Sequence, residues 1–349
     1  MVKGSDVVLK LIALSAFFKP ILQLSRLKFL IYSPILYTLG AVIARTQTTE
    51  ISPYPFFQGL VFVLLCHVMT HFYNDYHDYY ADLGNLNPSP WTGGSRALVE
   101  GKVSLALCLA LGRVLAFLTL IFLYFLPNLT CRAIGFLIII LAIGYSAPPL
   151  KLEHRGLGEL CVALVLNVLV PMLGYAIQSD APFYNNYLLM LAPLAVIEYA
   201  RMMVMNMPDR KSDEHAHKKT LIVIIGIKKA VLIHGVLLIF AYATTLLFIN
   251  VLPLKILIFV WITFPLALWV ALRLFRGDLE TREKQFFIPF WASTYNGLSA
   301  TGYLLGIIFE KGCSSYCLEL YPVIFYLTSL MYFGYKIFYK KYILRNGAV

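Results

Sequence analysis

Long apolar runs separated by short polar connections constrain the fold of this chain more than any other feature. A run of about 20 mostly apolar residues is long enough to cross a bilayer as a helix. Only 13% of the 349 residues are charged, against roughly 25% in soluble domains. This composition excludes a disordered chain, a secreted disulfide scaffold and an ordinary cytosolic enzyme. We therefore predict an all-α integral membrane protein with about nine to ten transmembrane helices. The apolar runs begin near Lys28, Pro55, Val103, Cys131, Gly156, Tyr184, Lys228, Leu252, Pro289 and Glu319.

The distribution of basic residues predicts how these helices are oriented. The net charge is +11, but the lysines and arginines lie in connections between apolar runs rather than in one nucleic-acid-binding patch. Most of the 29 basic residues fall in the two tails and in alternate connections, as the positive-inside rule requires. We expect a multi-pass protein in the lipid bilayer with both termini and the active-site loops on the cytoplasmic side, and no nucleic-acid partner. Residues 1–25 mix apolar and basic positions, which predicts an N-terminal amphipathic helix at the membrane interface.

Five of the eight aspartates fall in two short clusters. Asp75, Asp78 and Asp82 lie at the end of the second apolar run, and Asp209 and Asp213 lie at the end of the sixth. Residues three or four apart share a helix face, so each cluster presents its carboxylates together. Oxygen ligands of this kind suit Mg²⁺, which often bridges to substrate phosphates. The alternative, solvated loop acids near a membrane, does not explain the same spacing at matching positions. We predict two four-helix halves around a central cavity, with one acidic cluster each.

Basic residues near the acidic clusters indicate an anionic ligand. Arg96 follows Gly93 and Gly94, Lys151 lies in the connection after the fourth run, and Lys218 follows the second cluster. Arginine can bind phosphate oxygens two at a time, and glycine lets the backbone approach a phosphate closely. The positive-inside rule would also place basic residues here, so both interpretations stand at this point.

These motifs resemble the UbiA superfamily of intramembrane prenyltransferases. The first cluster matches the N-D-x-x-D-x-x-x-D motif of that family, and the second matches D-x-x-x-D followed by Lys218. The stretches 93–101 and 145–151 also look familial, and the second is similar to the branch that prenylates 1,4-dihydroxy-2-naphthoate and related quinone precursors. His217 stands where the family usually has glycine. Met205 and Pro208 replace an asparagine and an arginine common in that branch.

The resemblance covers about residues 26–310, with halves of about 26–150 and 151–310. Residues 311–349 would add a C-terminal helix and a basic tail. It implies an enzyme that uses Mg²⁺ to ionise an isoprenyl diphosphate and transfers the prenyl group to an aromatic or quinone-precursor acceptor. The implied metal ligands are Asp75, Asp78, Asp82, Asp209 and Asp213. The implied diphosphate-binding residues are Asn74, Arg96, Lys151, Asn206 and Lys218. The residues expected around the carbocation or the acceptor are His71, Phe72, Tyr145 and Glu198.

Three alternatives remain at this stage. Some members of the superfamily are terpene cyclases, which use the same aspartates and would convert farnesyl or geranylgeranyl diphosphate to a cyclic terpene. A transporter would place its charged residues near the membrane midplane, whereas the acids here lie at helix ends. His67 and His71 have a spacing that fits zinc, although a polar floor of the cavity is the simpler interpretation.

Overall fold

The computed structural model describes residues 18–86, 88–181, 183, 186–281 and 284–345. Apart from one isolated bridge between Arg155 and Lys219, these residues contain no β-structure. Ten long helices lie in the described part of the chain. They are α1 (Leu27–Ala44), α2 (Pro53–His77), α3 (Leu105–Phe125), α4 (Leu129–Gly144), α5 (Gly158–Gln178), α6 (Asn186–Asn206), α7 (Ile227–Phe248), α8 (Leu254–Phe275), α9 (Lys284–Lys311) and α10 (Leu320–Arg345).

Each of the ten apolar runs in the sequence coincides with one of these helices. Seven of them, α1 to α3 and α5 to α8, are long and apolar enough to cross a membrane, and α4 is apolar but only 16 residues long. The prediction of an all-α membrane protein is confirmed. How many helices cross the bilayer stays a prediction. The predicted interfacial helix falls largely outside the described residues, because only its last part is described, where 18–24 is helical.

The sequence marks several helix starts with residues that satisfy free backbone N–H groups. The side chain of Ser104 accepts a hydrogen bond from the Leu107 N–H at 3.2 Å at the start of α3. Asn128 Oδ1 accepts one from the Cys131 N–H at 2.8 Å at the start of α4. Pro53 opens α2, where a missing N–H costs no helical bond. These signals separate apolar runs that would otherwise merge.

Helix α1 lies at the centre of the bundle and α3 at its outside. Of an 18-residue window in each, 78% is buried in α1 and 17% in α3. Helix α1 packs against α5 so closely that a Cβ added to Gly40 would lie 1.7 Å from the Pro171 carbonyl oxygen. Small residues at such crossings let helix backbones approach. Helix α1 also meets α9, where the Tyr32 hydroxyl donates to the Ser293 carbonyl at 2.8 Å.

Two short helices carry the later aspartates of each cluster to a common end of the bundle. Tyr79–Gly84 follows α2 and Arg210–His215 follows α6, and the two pack against each other. Helix α10, which follows the predicted prenyltransferase region, packs on α1 and α9. This arrangement brings together two acidic clusters that are more than one hundred residues apart in sequence.

Candidate active site

One cavity opens at the end of the bundle where the two acidic clusters meet. Asp78 and Asp82 from the first cluster and Asp209 and Asp213 from the second all line it. The space, counting its open mouth, is about 1380 Å³. The deeper wall is largely apolar and includes Ile138, Leu141, Val162, Leu166 and Val170. The cavity therefore has a charged mouth and an interior with a large apolar surface.

Three of the four carboxylates at the mouth, those of Asp82, Asp209 and Asp213, are harder to ionise because of their burial. Burial raises the pKa of Asp209 to about 6 and that of Asp213 to about 7. Burial, together with the charge of Asp78, also raises the pKa of Asp82 well above its usual range. A cation among these carboxylates would relieve both effects, so the donor set fits a hard divalent ion.

Lys218 connects the two clusters. Its Nζ lies 2.6 Å from Asp78 Oδ2 and 2.9 Å from Glu153 Oε2, and Asn74 Nδ2 donates to the same Asp78 oxygen at 2.7 Å. Although burial opposes ionisation, Lys218 holds the pKa of Asp78 well below its usual range. Asp78 Oδ1 has no hydrogen-bond partner among the described residues, and His154 Nε2 is 3.6 Å away. Asp78, Glu153 and His154 offer ligand atoms within 4.8 Å of one another.

Asp75 does not line the cavity, because Arg26 occupies its carboxylate. The guanidinium of Arg26, just before α1, forms an ion pair with Asp75 Oδ1, and the Ser95 N–H donates to the same oxygen at 3.3 Å. Burial opposes ionisation of Arg26, but Asp75, Asp82 and Asp78 raise its pKa well above its usual value. Arg26 itself lines the cavity. It therefore adds a cation to the mouth that the sequence did not reveal.

The connection between α2 and α3 ties the two acidic clusters together. We call residues 85–103 the bridging loop; all of them except residue 87 are described. Asn85 Nδ2 donates to Asp209 Oδ1 at 2.7 Å, and the Gly93 N–H donates to Asp209 Oδ2 at 3.3 Å. Gly94 has φ +71°, and a Cβ there would lie 1.9 Å from Asp82 Oδ2. Trp91 Nε1 anchors the loop on α9 by donating to the Phe286 carbonyl at 2.9 Å.

Four non-glycine residues around the site have a left-handed backbone. They are Arg26, Arg96, Lys151 and His217, with φ of 45°, 67°, 43° and 55°. Such conformations cost energy and cluster at functional sites. His217 takes the place of the usual family glycine and keeps the backbone geometry that glycine favours.

The remaining polar residues predicted for the diphosphate divide into two groups. Asn74, Asn206 and Lys218 line the cavity. Arg96 and Lys151 are not among its lining residues, and Arg96 Nη1 instead donates to the Asp82 carbonyl at 2.6 Å. Asn206 Nδ2 donates to Glu159 Oε1 at 2.9 Å.

Of the four residues predicted around the carbocation or acceptor, two line the cavity and two do not. His71 and Tyr145 line the cavity. Phe72 does not: it packs with Cys108 on the side of α2 that faces α3. One residue along a helix turns the side chain by about 100°, so Phe72 cannot share the direction of His71. Glu198 lies behind the wall, paired with Arg201, which does line the cavity.

Sequence reasoning missed Arg26, Glu153 and the bridging-loop contact of Asn85 as parts of the site. None of them belongs to a spaced cluster of acids, and their partners lie 49 to 124 residues away. Helix α5 contains a π-helical turn at Val165–Leu169, and Val165 and Leu166 of this turn line the cavity. Such turns are frequent at functional sites, but spacing alone does not reveal them.

Comparison with known proteins gives the same assignment as the site. The sequence model of the UbiA prenyltransferase family matches residues 34–294. No match was found among curated protein sequences. Several solved structures share the fold.

A UbiA homologue from Aeropyrum pernix K1 in its apo form has a TM-score of 0.62 at 16% identity, with 81% of this chain and 98% of that one covered. A structure described as digeranylgeranylglyceryl phosphate synthase has a TM-score of 0.60 at 18% identity, with coverage of 84% and 99%. A UbiA homologue from Archaeoglobus fulgidus bound to GPP and Mg²⁺ has a TM-score of 0.57 at 16% identity, with coverage of 84% and 99%. The chain belongs to the UbiA prenyltransferase family.

Proposed function

We propose that this protein is a Mg²⁺-dependent intramembrane prenyltransferase that ionises an isoprenyl diphosphate and transfers the prenyl group to an aromatic or quinone-precursor acceptor. The observation that carries the proposal is that one cavity has aspartates of both acidic clusters at its mouth and an apolar wall behind them. Family membership supports it. Archaeoglobus fulgidus homologues with the same fold are described as bound to GPP or DMAPP with Mg²⁺.

The chain's own residues fit a magnesium-bound diphosphate. Asp78 has a buried oxygen without a hydrogen-bond partner among the described residues, and the pKa values of Asp209 and Asp213 are raised by burial, which bound cations would reverse. Asp75, Asp78, Asp82, Asp209 and Asp213 would hold the ions, with Asp75 exchanging its partner Arg26. When bound, Mg²⁺ neutralises the diphosphate and makes it a better leaving group.

The remaining residues act on the substrate. Asn74, Asn206 and Lys218, which line the cavity, would bind the diphosphate. Arg96 and Lys151, which are not among the lining residues, would act as supporting cations. The allylic C–O bond breaks with its electron pair leaving on the diphosphate, which these donors stabilise. The apolar wall excludes water from the allylic cation. Tyr145 presents an aromatic face, which attracts a cation. A carbon of the electron-rich acceptor then bonds to the prenyl carbon, and the acceptor releases a proton.

The domain organisation and the topology follow from the same proposal. Residues 26–310 form the prenyltransferase domain, in halves of 26–150 and 151–310, and 311–349 form an additional helix and tail. The mouth of the cavity and both termini face the cytoplasm, as the distribution of basic residues favours. Labelling from one side of sealed vesicles would test this orientation. The exposed Cys313 reports on the loop between α9 and α10, and a cysteine introduced into a Cys313→Ser, Cys317→Ser variant reports on the bridging loop.

The enzyme activity is tested with the purified full chain in lipid nanodiscs, Mg²⁺, and geranyl, farnesyl or geranylgeranyl diphosphate, with and without a naphthalenediol acceptor. We expect a prenylated acceptor, and a loss of rate of at least about 100-fold in Asp78→Asn and Asp213→Asn. Asp180→Asn is the matched control, because Asp180 follows the far end of α5 and is bonded there by Asn128 at 3.2 Å.

Two outcomes would contradict the proposal in different ways. A cyclic terpene formed without acceptor identifies a cyclase on the same scaffold. Release of diphosphate that survives both aspartate substitutions removes the enzyme assignment altogether.

A further inference from the structure

A polar wall lies deeper in the cavity than the acidic clusters. Ser33 of α1, His67 and His71 of α2, and Arg201 of α6 all line it. His71 and His67 precede Asp75 by four and eight residues, which places them about 6 and 12 Å along the helix from that aspartate. The wall is therefore positioned for a second substrate rather than for the diphosphate.

Among the residues of this wall, only His71 has a buried side-chain nitrogen without a hydrogen-bond partner in the described part of the chain. The residue is 8% exposed, and its Nε2 has no hydrogen-bond partner among the described residues. Buried polar atoms in folded proteins nearly always have a partner, so such an atom in a cavity wall indicates a ligand group. His67 does not fill this role, because its Nδ1 lies 2.5 Å from Ser33 Oγ and its ring is 4.8 Å from that of His71.

Arg201 is a cation whose charge is already compensated. Its Nε donates to both oxygens of Glu198 at 3.1 Å, and its Nη2 bonds Glu198 Oε1 as well. Asn296 Nδ2 fixes Glu198 from α9 with a 2.5 Å hydrogen bond to Oε2. The guanidinium carbon lies 5.6 Å from the centroid of the Tyr32 ring, which covers one side of the charge.

The other cations of the cavity are also paired. Among the described lining residues these are Arg26, bound to Asp75, and Lys218, bound to Asp78 and Glu153. Metal binding would release Arg26 and Lys218 only at the mouth, where the diphosphate would compensate their charges. A second substrate that carried a carboxylate would therefore meet no free cation at the wall and would approach Glu198. Desolvating an anion without a partner is strongly unfavourable. An uncharged ring incurs no such desolvation penalty, and its hydroxyl group can form a hydrogen bond with His71 Nε2.

We propose that the wall of Ser33, His67, His71 and Arg201 binds the acceptor, and that this acceptor is an uncharged hydroxylated aromatic ring whose hydroxyl hydrogen-bonds His71 Nε2. This inference rests on the proposed function and specifies its acceptor class. It assigns His71 the recognition of the hydroxyl, and it assigns the Glu198–Arg201 pair the rejection of carboxylated acceptors.

The test compares two acceptors that differ in one group. Naphthalene-1,4-diol and its 2-carboxylate are each titrated with the full chain in nanodiscs, Mg²⁺ and a saturating prenyl diphosphate. We expect kcat/KM to be at least ten-fold higher for the diol. Equal or higher kcat/KM for the carboxylate overturns the inference while leaving the transferase assignment intact. Release of diphosphate without prenylation of either acceptor contradicts the proposed function itself, and the inference with it.

Glu198→Gln separates recognition from the intrinsic reactivity of the two rings. The substitution keeps the shape of the side chain but frees the charge of Arg201, so the preference should shift at least ten-fold towards the carboxylate relative to the unsubstituted protein. Because intrinsic reactivity is common to both enzymes, it cancels in this ratio. An unchanged ratio overturns the role of the pair.

His71→Phe tests the hydrogen bond. We expect KM for the diol to rise at least ten-fold while KM for the prenyl diphosphate stays within two-fold, and His71→Asn to recover most of the loss. A parallel rise in both KM values would indicate a structural role and overturn the assignment. If His71→Phe does not fold, His71→Asn alone tests the proposal. Loss of the preference for the diol over the carboxylate in folded His71→Asn would contradict the proposal, because this variant keeps a polar side chain at the position.

Discussion

Lys218 Nζ lies 2.6 Å from Asp78 Oδ2, so the lysine that follows the second acidic cluster is ion-paired with the central aspartate of the first. The two residues are 140 positions apart in sequence. Glu153, from the connection after α4, completes a buried cluster of two acids and one base. A free diphosphate would have to compete with these carboxylates for Lys218. The lysine therefore stabilises the fold as well as serving the proposed reaction.

Removing this lysine should destabilise the protein more than removing its neighbour. Lys218→Ala leaves Asp78 and Glu153 buried without their base, and breaking one partner of a buried ion pair typically costs about 3 to 5 kcal/mol. Lys219→Ala is the matched control, because Lys219 is exposed. Thermal unfolding in detergent should show a clear fall in Tm for the first variant only. Similar Tm values for the two variants would mean that the cluster does not contribute to stability.

The raised pKa values of Asp209 and Asp213 predict how pH and Mg²⁺ affect stability. Their usual value is 3.8, and the folded, metal-free protein raises it to about 6 and about 7. The folded state thus holds protons that the unfolded state has lost, so the contribution of these groups to stability falls as pH rises from about 4 through 7. We expect Mg²⁺ to raise Tm at pH 8 and to have little effect at pH 5.5, where both carboxyls are largely protonated.

The Tm values are measured without substrate, so protonation of a diphosphate does not contribute to their pH dependence. NaCl at equal ionic strength controls for screening by salt. A Mg²⁺-dependent rise in Tm that is the same at both pH values would contradict the assignment of these two carboxyls as ligands.

Gly94→Ala should inactivate the enzyme, whereas Gly101→Ala should not. Both glycines have a positive φ, of 71° and 67°, so both substitutions carry similar backbone strain of about 1 to 2 kcal/mol. A Cβ at Gly94 would lie 1.9 Å from Asp82 Oδ2, but a Cβ at Gly101 would have no atom within 4 Å. The difference between the two rates of prenyl transfer therefore measures displacement of Asp82. Equal losses would show that backbone strain alone is responsible.

His217→Gly should stabilise the protein slightly without loss of activity. His217 has φ 55°, where glycine avoids a cost of about 1 to 2 kcal/mol but loses about 0.4 to 1 kcal/mol through the greater freedom of its unfolded state. A small rise in Tm is the expected net result. Ala216→Gly, at the neighbouring right-handed residue with φ −83°, should lower Tm instead. A fall in Tm for His217→Gly would mean that the histidine side chain makes a stabilising contribution of its own.

The sequence predicted the helices and the acidic clusters because both are local patterns. Apolar runs and the three- and four-residue spacing of Asp75, Asp78 and Asp82 are visible without any knowledge of tertiary contacts. The same periodicity could have separated His71 from Phe72, which are neighbours in sequence but face the cavity and α3 respectively.

The partners of the clusters could not be predicted in this way. The pairing of Arg26 with Asp75 depends on how the start of α1 crosses α2, and the burial of Glu153 depends on the path of a connection. Lys218 and Arg96 were expected to face a diphosphate, and in the structure they bind a carboxylate and a backbone carbonyl. Long-range packing determines which partner a charged side chain has, and sequence spacing carries no such information.

The hydrogen bonds of the bridging loop also limit how the two halves can be recombined. Asn85 and Gly93 belong to the first half but hold Asp209 of the second, while Ser95 holds Asp75 of its own half. A chimera that joined one half of this protein to the other half of a relative would carry a loop fitted to the wrong aspartate. Exchange of modules between members of the family should therefore succeed only when the loop and the aspartates on both sides of it come from the same protein, which makes the connection, rather than either half, the unit of compatibility.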